Sequence, residues 1–127
     1  MTEVVLDASA VIAFFQREPG AEAVAEALPG SLLSTVNVAE VMEKLLAAGQ
    51  NGTAVRLSVE ALPTTITPFD FGQALLAAEL RRATRSQGLS LGDRACLALA
   101  KARSVPVLTA DRAWAAVDVG VEIVLIR

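Results

Sequence analysis

The residues able to do chemistry in this 127-residue chain are acids. It has no histidine and no tyrosine, one cysteine (Cys96), and only two lysines, Lys44 and Lys101. Serine–histidine–aspartate, cysteine–histidine and paired-histidine chemistries are therefore excluded, as are the usual zinc sites. Four acids stand out by their surroundings: Asp7, Glu40, Asp93 and Asp111. If they do chemistry, hard cations bound through oxygen are their natural helpers.

Asp7 ends the apolar run Val4-Val5-Leu6 and is followed at once by a helix-like segment, Ala8–Phe15. Such a run suits a strand buried on both faces, with Asp7 at its carboxyl end, where open α/β sheets place ligands. The competing role is simpler: Asp7 or Ser9 caps the next helix. Asp111 repeats the pattern after Val105–Thr109, again with capping as the alternative. Glu40 lies opposite the apolar stripe Val38, Val41, Met42, Leu45 and Leu46, in the first turn of its helix. Asn37, three residues earlier, gives a spacing like that of a capping box.

Asp93 sits in Leu89–Ala100, a segment apolar almost all round and so expected as a buried helix. Ser90 and Asp93 have capping-box spacing. A carboxylate there still needs partners or a cation to offset its desolvation. Arg94 beside it can pair a phosphate or another acid. Asp7 and Asp111 follow strand ends, and Glu40 and Asp93 open helices at the same edge. Four acids on one rim repel unless a cation sits among them.

The elements that must position these residues alternate. Strands are expected near Glu3–Leu6, Ser31–Ser34, Thr64–Thr67, Val105–Thr109 and Val121–Ile126. Helices are expected from Asp7 to about Arg17, over Ala21–Leu28, from Ser34 to Ala48, and over Thr53–Leu62. Others run from Asp70 to about Gln87, over Leu91–Arg103 and over Asp111–Val117. Pro19-Gly20, Pro29-Gly30, Gly49, Pro63 and Gly88 punctuate them. The pattern predicts an α/β fold in three layers, a mostly parallel sheet of about five strands with helices on both faces. Residues 1–127 are expected to form one domain.

No stretch has the length and apolarity to span a bilayer, and no basic region precedes the first apolar run, which points to a cytoplasmic protein. A single cysteine permits no internal disulfide, and a small buried side chain is its expected role. The net charge of −3 is unevenly spread. Seven bases (Arg81, Arg82, Arg85, Arg94, Lys101, Arg103, Arg112) lie between Arg81 and Arg112, with only Asp93 and Asp111 as acids among them. Such a segment can track phosphates, although solvated helix faces give the same count.

Four segments, Val4-Val5-Leu6-Asp7-Ala8-Ser9, Val38-Ala39-Glu40, Leu89-Ser90-Leu91-Gly92-Asp93 and Leu108-Thr109-Ala110-Asp111-Arg112, come in an order that resembles the PIN-domain ribonucleases. More narrowly, the chain resembles the VapC-type toxins of bacterial type II toxin–antitoxin pairs, over essentially its whole length. The resemblance implies that Asp7, Glu40, Asp93 and Asp111 bind Mg²⁺ or Mn²⁺, with Ser9 and Thr109 supporting them. Some members carry a further acid beyond the last aspartate; here Ala115 and Ala116 occupy that region, and Asp118 comes later. A homodimer is also implied, as is a small antitoxin seated in an apolar groove, for which Phe14, Phe15 and Trp114 are candidates, with a place in the core as the favoured alternative for each.

The expected activity is metal-assisted hydrolysis of an RNA phosphodiester, with Arg94 or Arg112 on the phosphate. The alternative is a catalytically silent PIN-like module that binds RNA or a protein partner. A phospho-receiver domain also has strand-end acids, but it would need a lysine after a late strand, and Val105–Asp111 contains none.

Overall fold

The computed structural model describes residues 3–127. In chain order the elements are β1 (Val4–Leu6), α1 (Ala8–Phe15), α2 (Ala21–Ala27), β2 (Ser31–Ser34), α3 (Thr35–Ala47) and α4 (Gly52–Glu60). They continue with β3 (Thr65–Thr67), α5 (Phe71–Ala83), α6 (Leu91–Arg103), β4 (Val107–Thr109) and β5 (Ile123–Leu125). Short 3-10 turns cover Leu28–Gly30, Arg85–Gln87 and Arg112–Ala116.

The five strands form one sheet in the order β3-β2-β1-β4-β5, and every pairing is parallel. The chain leaves β1 toward one edge through β2 and β3, then returns to β1's other side with β4 and β5. The order therefore reverses between β1 and β4, the place where open α/β sheets open a crevice for ligands.

The pleat sorts the apolar residues to two faces. Leu6, Leu33 and Leu108 join Val11, Val24, Val41, Leu45, Val55 and Val59 beneath α1 to α4. Val5, Leu32 and Val107 join Ala77, Leu80, Leu97, Leu99 and Trp114 beneath α5 and α6. Cys96 is fully buried in the second cluster, as its type suggested.

Several expected boundaries shift for identifiable reasons. Helix α5 stops at Ala83 rather than near Gln87, because the buried Thr84 hydroxyl donates to the Leu80 carbonyl at 2.7 Å and the chain turns into a 3-10 step. Gly88, with φ +63°, closes that step. Strand β4 begins only at Val107, since Pro106 has no N–H for a ladder, although its carbonyl accepts from Val5 N at 2.9 Å. The segment after Asp111 is 3-10 rather than α-helical. It buries Trp114 completely, so for this residue the favoured expectation, a place in the core, holds and the groove role does not. Leu46 also leaves the expected stripe of α3, being 48% exposed.

The end of β5 is tied to the site-bearing edge. Ile126 N donates to the Thr109 carbonyl at 2.9 Å, and Ile126 packs directly on Gly20, which has φ +97°. A methyl group at Gly20 would meet both a left-handed backbone and Ile126, whereas Gly49, with φ +102°, faces open space. Gly49→Ala should therefore cost about 1–2 kcal/mol, the conformational cost alone. Gly20→Ala should cost clearly more in urea unfolding; equal costs would mean that Ile126 yields freely.

Candidate functional site

Asp7 occupies the N-cap position of α1, yet its side chain makes no capping bond. It is instead gripped from the side. The Ser9 hydroxyl donates to Asp7 Oδ2 at 2.6 Å, and the Thr109 hydroxyl donates to the same oxygen at 2.9 Å. Both hydroxyls spend their single hydrogen on Asp7, so their 3.2 Å approach to each other is a contact between acceptors. Their lone pairs accept in turn from Ala110 N (3.0 Å, on Ser9) and Asp111 N (3.1 Å, on Thr109). This network clasps the carboxyl ends of β1 and β4 across the switch point.

Glu40 comes from α3. That helix is capped by Ser34, whose hydroxyl accepts from Val36 N, so Asn37 is not the cap that its spacing suggested and Glu40 stands in the second turn. Asn37 is wholly buried and donates through Nδ2 to Glu40 Oε1 at 2.8 Å and to the Gly92 carbonyl at 3.0 Å. Gly92 is a residue to which composition and spacing gave no role.

Asp93 forms the capping box that its spacing indicated. Ser90 Oγ accepts from Asp93 N at 3.2 Å, and Asp93 Oδ2 accepts from Ser90 N at 3.0 Å. Helix α6 is continuously buried only over Ala95–Ala100, and Asp93 itself is half-buried at the rim. Its carboxylate is thus less desolvated than a core charge, and its other oxygen has no hydrogen-bond partner among the described residues.

Two of these carboxyls carry the cost of burial and of neighbouring acid charge. Asp7 is only 4% exposed; burial raises its pKa above the ordinary 3.8, the Ser9 and Thr109 hydroxyls oppose that rise, and the charge of Asp93 adds to it. Burial likewise raises Glu40 above its ordinary 4.5, against the Asn37 amide and with Asp7 and Asp93 adding. Burial pushes the Cys96 thiol well up, with the charges of Asp7, Asp93 and Glu40 adding.

Asp111 stays at the margin: it is exposed, and its Oδ1 caps the 3-10 turn through Ala113 N at 3.0 Å. Arg112 is exposed beside it. Arg94 is half-buried, and its Nη1 donates to the Ala77 carbonyl of α5 at 2.9 Å.

The donor set, carboxylates with hydroxyl support, suits Mg²⁺ or Mn²⁺ by type. The ion pairs among the described residues, Arg56–Glu60 and Arg127–Glu18, leave all four candidate acids without a basic partner. As placed, no three of the described acids close into a ligand cluster. The fit is therefore one of donor chemistry and shared charge, with the side chains still to be drawn together.

Because Asp7 and Glu40 hold their protons more tightly folded than unfolded, they favour folding most below their ordinary pKa values. That contribution fades as pH rises through the raised ones. Asp7→Asn keeps an oxygen for Ser9 and Thr109 and removes the charge. In chelator, its urea midpoint should rise relative to wild type as pH goes from about 4 to 7. A difference that does not change with pH would show that Asp7 carries no such strain.

No curated protein sequence matches this one significantly. Among solved structures, a toxin–antitoxin complex from Klebsiella pneumoniae matches at 21% identity, with 98% of each chain covered and a TM-score of 0.76. FitAcB from Neisseria gonorrhoeae matches at 25% identity over 97% of each chain, with a TM-score of 0.71. VapBC-5 from Mycobacterium tuberculosis, a member of the VapBC family of toxin–antitoxin systems, matches at 26% identity. That match covers 100% of this chain and 99% of the other, with a TM-score of 0.66. The PIN domain family matches residues 4–120, nearly the whole chain, and with the parallel sheet and its acidic edge this means that the protein belongs to the PIN domain family.

Proposed function

We propose that this protein is a metal-dependent endoribonuclease of the VapC type, the toxin of a toxin–antitoxin pair. The observation that carries the proposal is the uncompensated acid group at the switch point. Asp7 and Glu40 are both costly to charge, first through burial and then through the charge of Asp93, and among the described residues no base is paired with any of the three. These three acids, with Asp111 at the margin, would hold Mg²⁺ or Mn²⁺, which when bound supplies a more acidic water and a polarised phosphate.

The chain's own residues have separable tasks. Ser9 and Thr109 fix the direction of Asp7. Asp93 commits one oxygen to Ser90 N and keeps the other to orient a water and take its proton, since no histidine is present to do so. Arg112, exposed next to Asp111, is the better placed of the two arginines for a phosphate, because Arg94 already braces α5. Arg81, Arg82 and Arg85, exposed at the end of α5 and in the following turn, are further candidates to meet phosphates.

The likeness to the toxin–antitoxin complex from Klebsiella pneumoniae and to VapBC-5 supports a small antitoxin as partner. We assign its apolar groove to Phe14 and Phe15, half-buried and stacked edge to face with centroids 5.7 Å apart. A homodimer is part of the same proposal. No helix among the described residues is long and apolar enough to cross a membrane.

One observation favours a second reading, a non-cleaving module that binds RNA or protein: the acids do not close into a three-ligand group as placed. Cleavage of defined structured RNAs separates the two. The proposal expects cutting with Mg²⁺, none with chelator, and a loss of about 100-fold or more in Asp93→Asn. A folded protein that binds these RNAs and never cuts them would establish the silent module.

Salt dependence tests the arginines. Arg112→Ala should reduce the slope of log affinity for RNA against log salt by about 1. Arg94→Ala should instead lower the melting temperature, since it removes the bond to Ala77. An unchanged slope in Arg112→Ala would move the phosphate contact elsewhere.

A further inference from the structure

Asn37 is the third residue of α3, and no part of it is exposed. One nitrogen, Nδ2, serves two acceptors on different elements, Glu40 Oε1 at 2.8 Å and the Gly92 carbonyl of α6 at 3.0 Å. Only a group with two hydrogens on one atom can do this; a hydroxyl would satisfy one acceptor and strand the other. The partners also fix the orientation, because a flipped amide would set Oδ1 against two oxygens.

Gly92 completes the seat from the other side. A Cβ there would overlap the Glu40 carboxylate. Its φ is not in the left-handed region, so clearance rather than backbone freedom is what glycine provides at this position. Glu40 is a half-buried side chain with several rotatable bonds, and on α3 alone it would sample many orientations.

We infer that Asn37 and Gly92 are positioning residues that together seat the Glu40 carboxylate against the first turn of α6, one residue from Asp93. The pair makes the approach of Glu40 to Asp93 a property of how α3 packs on α6, set by a bond between residues 55 apart in sequence. This rests on the metal-binding role proposed for the acids, although the seat itself is a matter of geometry.

A double-mutant cycle between Gly92→Ala and Glu40→Ala tests it, with Asn37→Leu as an independent variant. In chelator, Gly92→Ala should lower the melting temperature of the wild type, and should not lower that of Glu40→Ala, where the clashing group is gone. Asn37→Leu keeps the side chain's shape and removes the unpartnered Oδ1 along with both Nδ2 bonds, and circular dichroism checks that it is folded. Mn²⁺ binding gives the second readout. Gly92→Ala and Asn37→Leu should each weaken it by about tenfold or more, as loss of a ligand-orienting contact does. In the Glu40→Ala background, Gly92→Ala should change it by less than about twofold. Equal losses in both backgrounds, or wild-type Mn²⁺ affinity in folded Asn37→Leu, would overturn the inference. If the wild type binds no Mn²⁺, the metal-binding proposal falls, and the chelator cycle alone decides: coupled melting shifts support the seat, and additive ones overturn it.

Discussion

Burial of carboxylates at one edge of the sheet, with no base paired to them among the described residues, is the constraint to which the rest of this structure answers. Asp7 lies at the end of a central strand, nearly out of reach of water; burial is the larger cost to its charge, and the charge of Asp93 adds to it. The groups that hold these acids are neutral: two hydroxyls on Asp7, an amide on Glu40, a backbone N–H on Asp93. A lysine or arginine would offset the charge more fully, and would also occupy the place of a cation. Neutral donors fix direction and leave the charge available.

The fold is arranged to make this sustainable. Two apolar clusters, one on each face of an all-parallel sheet, supply burial that does not depend on the edge. The short strands place Asp7 and Thr109 side by side, because Leu6 pairs with Leu108 one step earlier. Helices α3 and α6 then bring Glu40 and Asp93 in from the two faces, and the Asn37 amide joins them. The edge is thus clasped twice, between strands by hydroxyls and between helices by an amide.

Much of this was legible in the residues, because it rested on local pattern. Val4-Val5-Leu6 ahead of Asp7 reads as a doubly buried strand, and Leu91–Arg103 is helical over the bounds that its apolar run suggested. Ser90 and Asp93 form their capping box, since both partners lie within one turn. What escaped depends on distant partners. Asn37 looks like a cap beside Glu40, but Ser34 takes that place, and Asn37's second acceptor lies on a helix far along the chain. Gly92 looks like an ordinary glycine until α3 is packed against it. Arg94 sits next to Asp93 in sequence, yet its guanidinium turns away to α5.

The most direct measurement is equilibrium Mn²⁺ binding at neutral pH, followed by electron paramagnetic resonance of the free ion, for the wild type and Asp7→Asn. An acid edge held by neutral donors should give saturable binding in the wild type, and a folded Asp7→Asn should lose most of it. Absence of binding in the wild type, or equal binding in a folded Asp7→Asn, would contradict the view that these carboxylates are gathered to hold a cation.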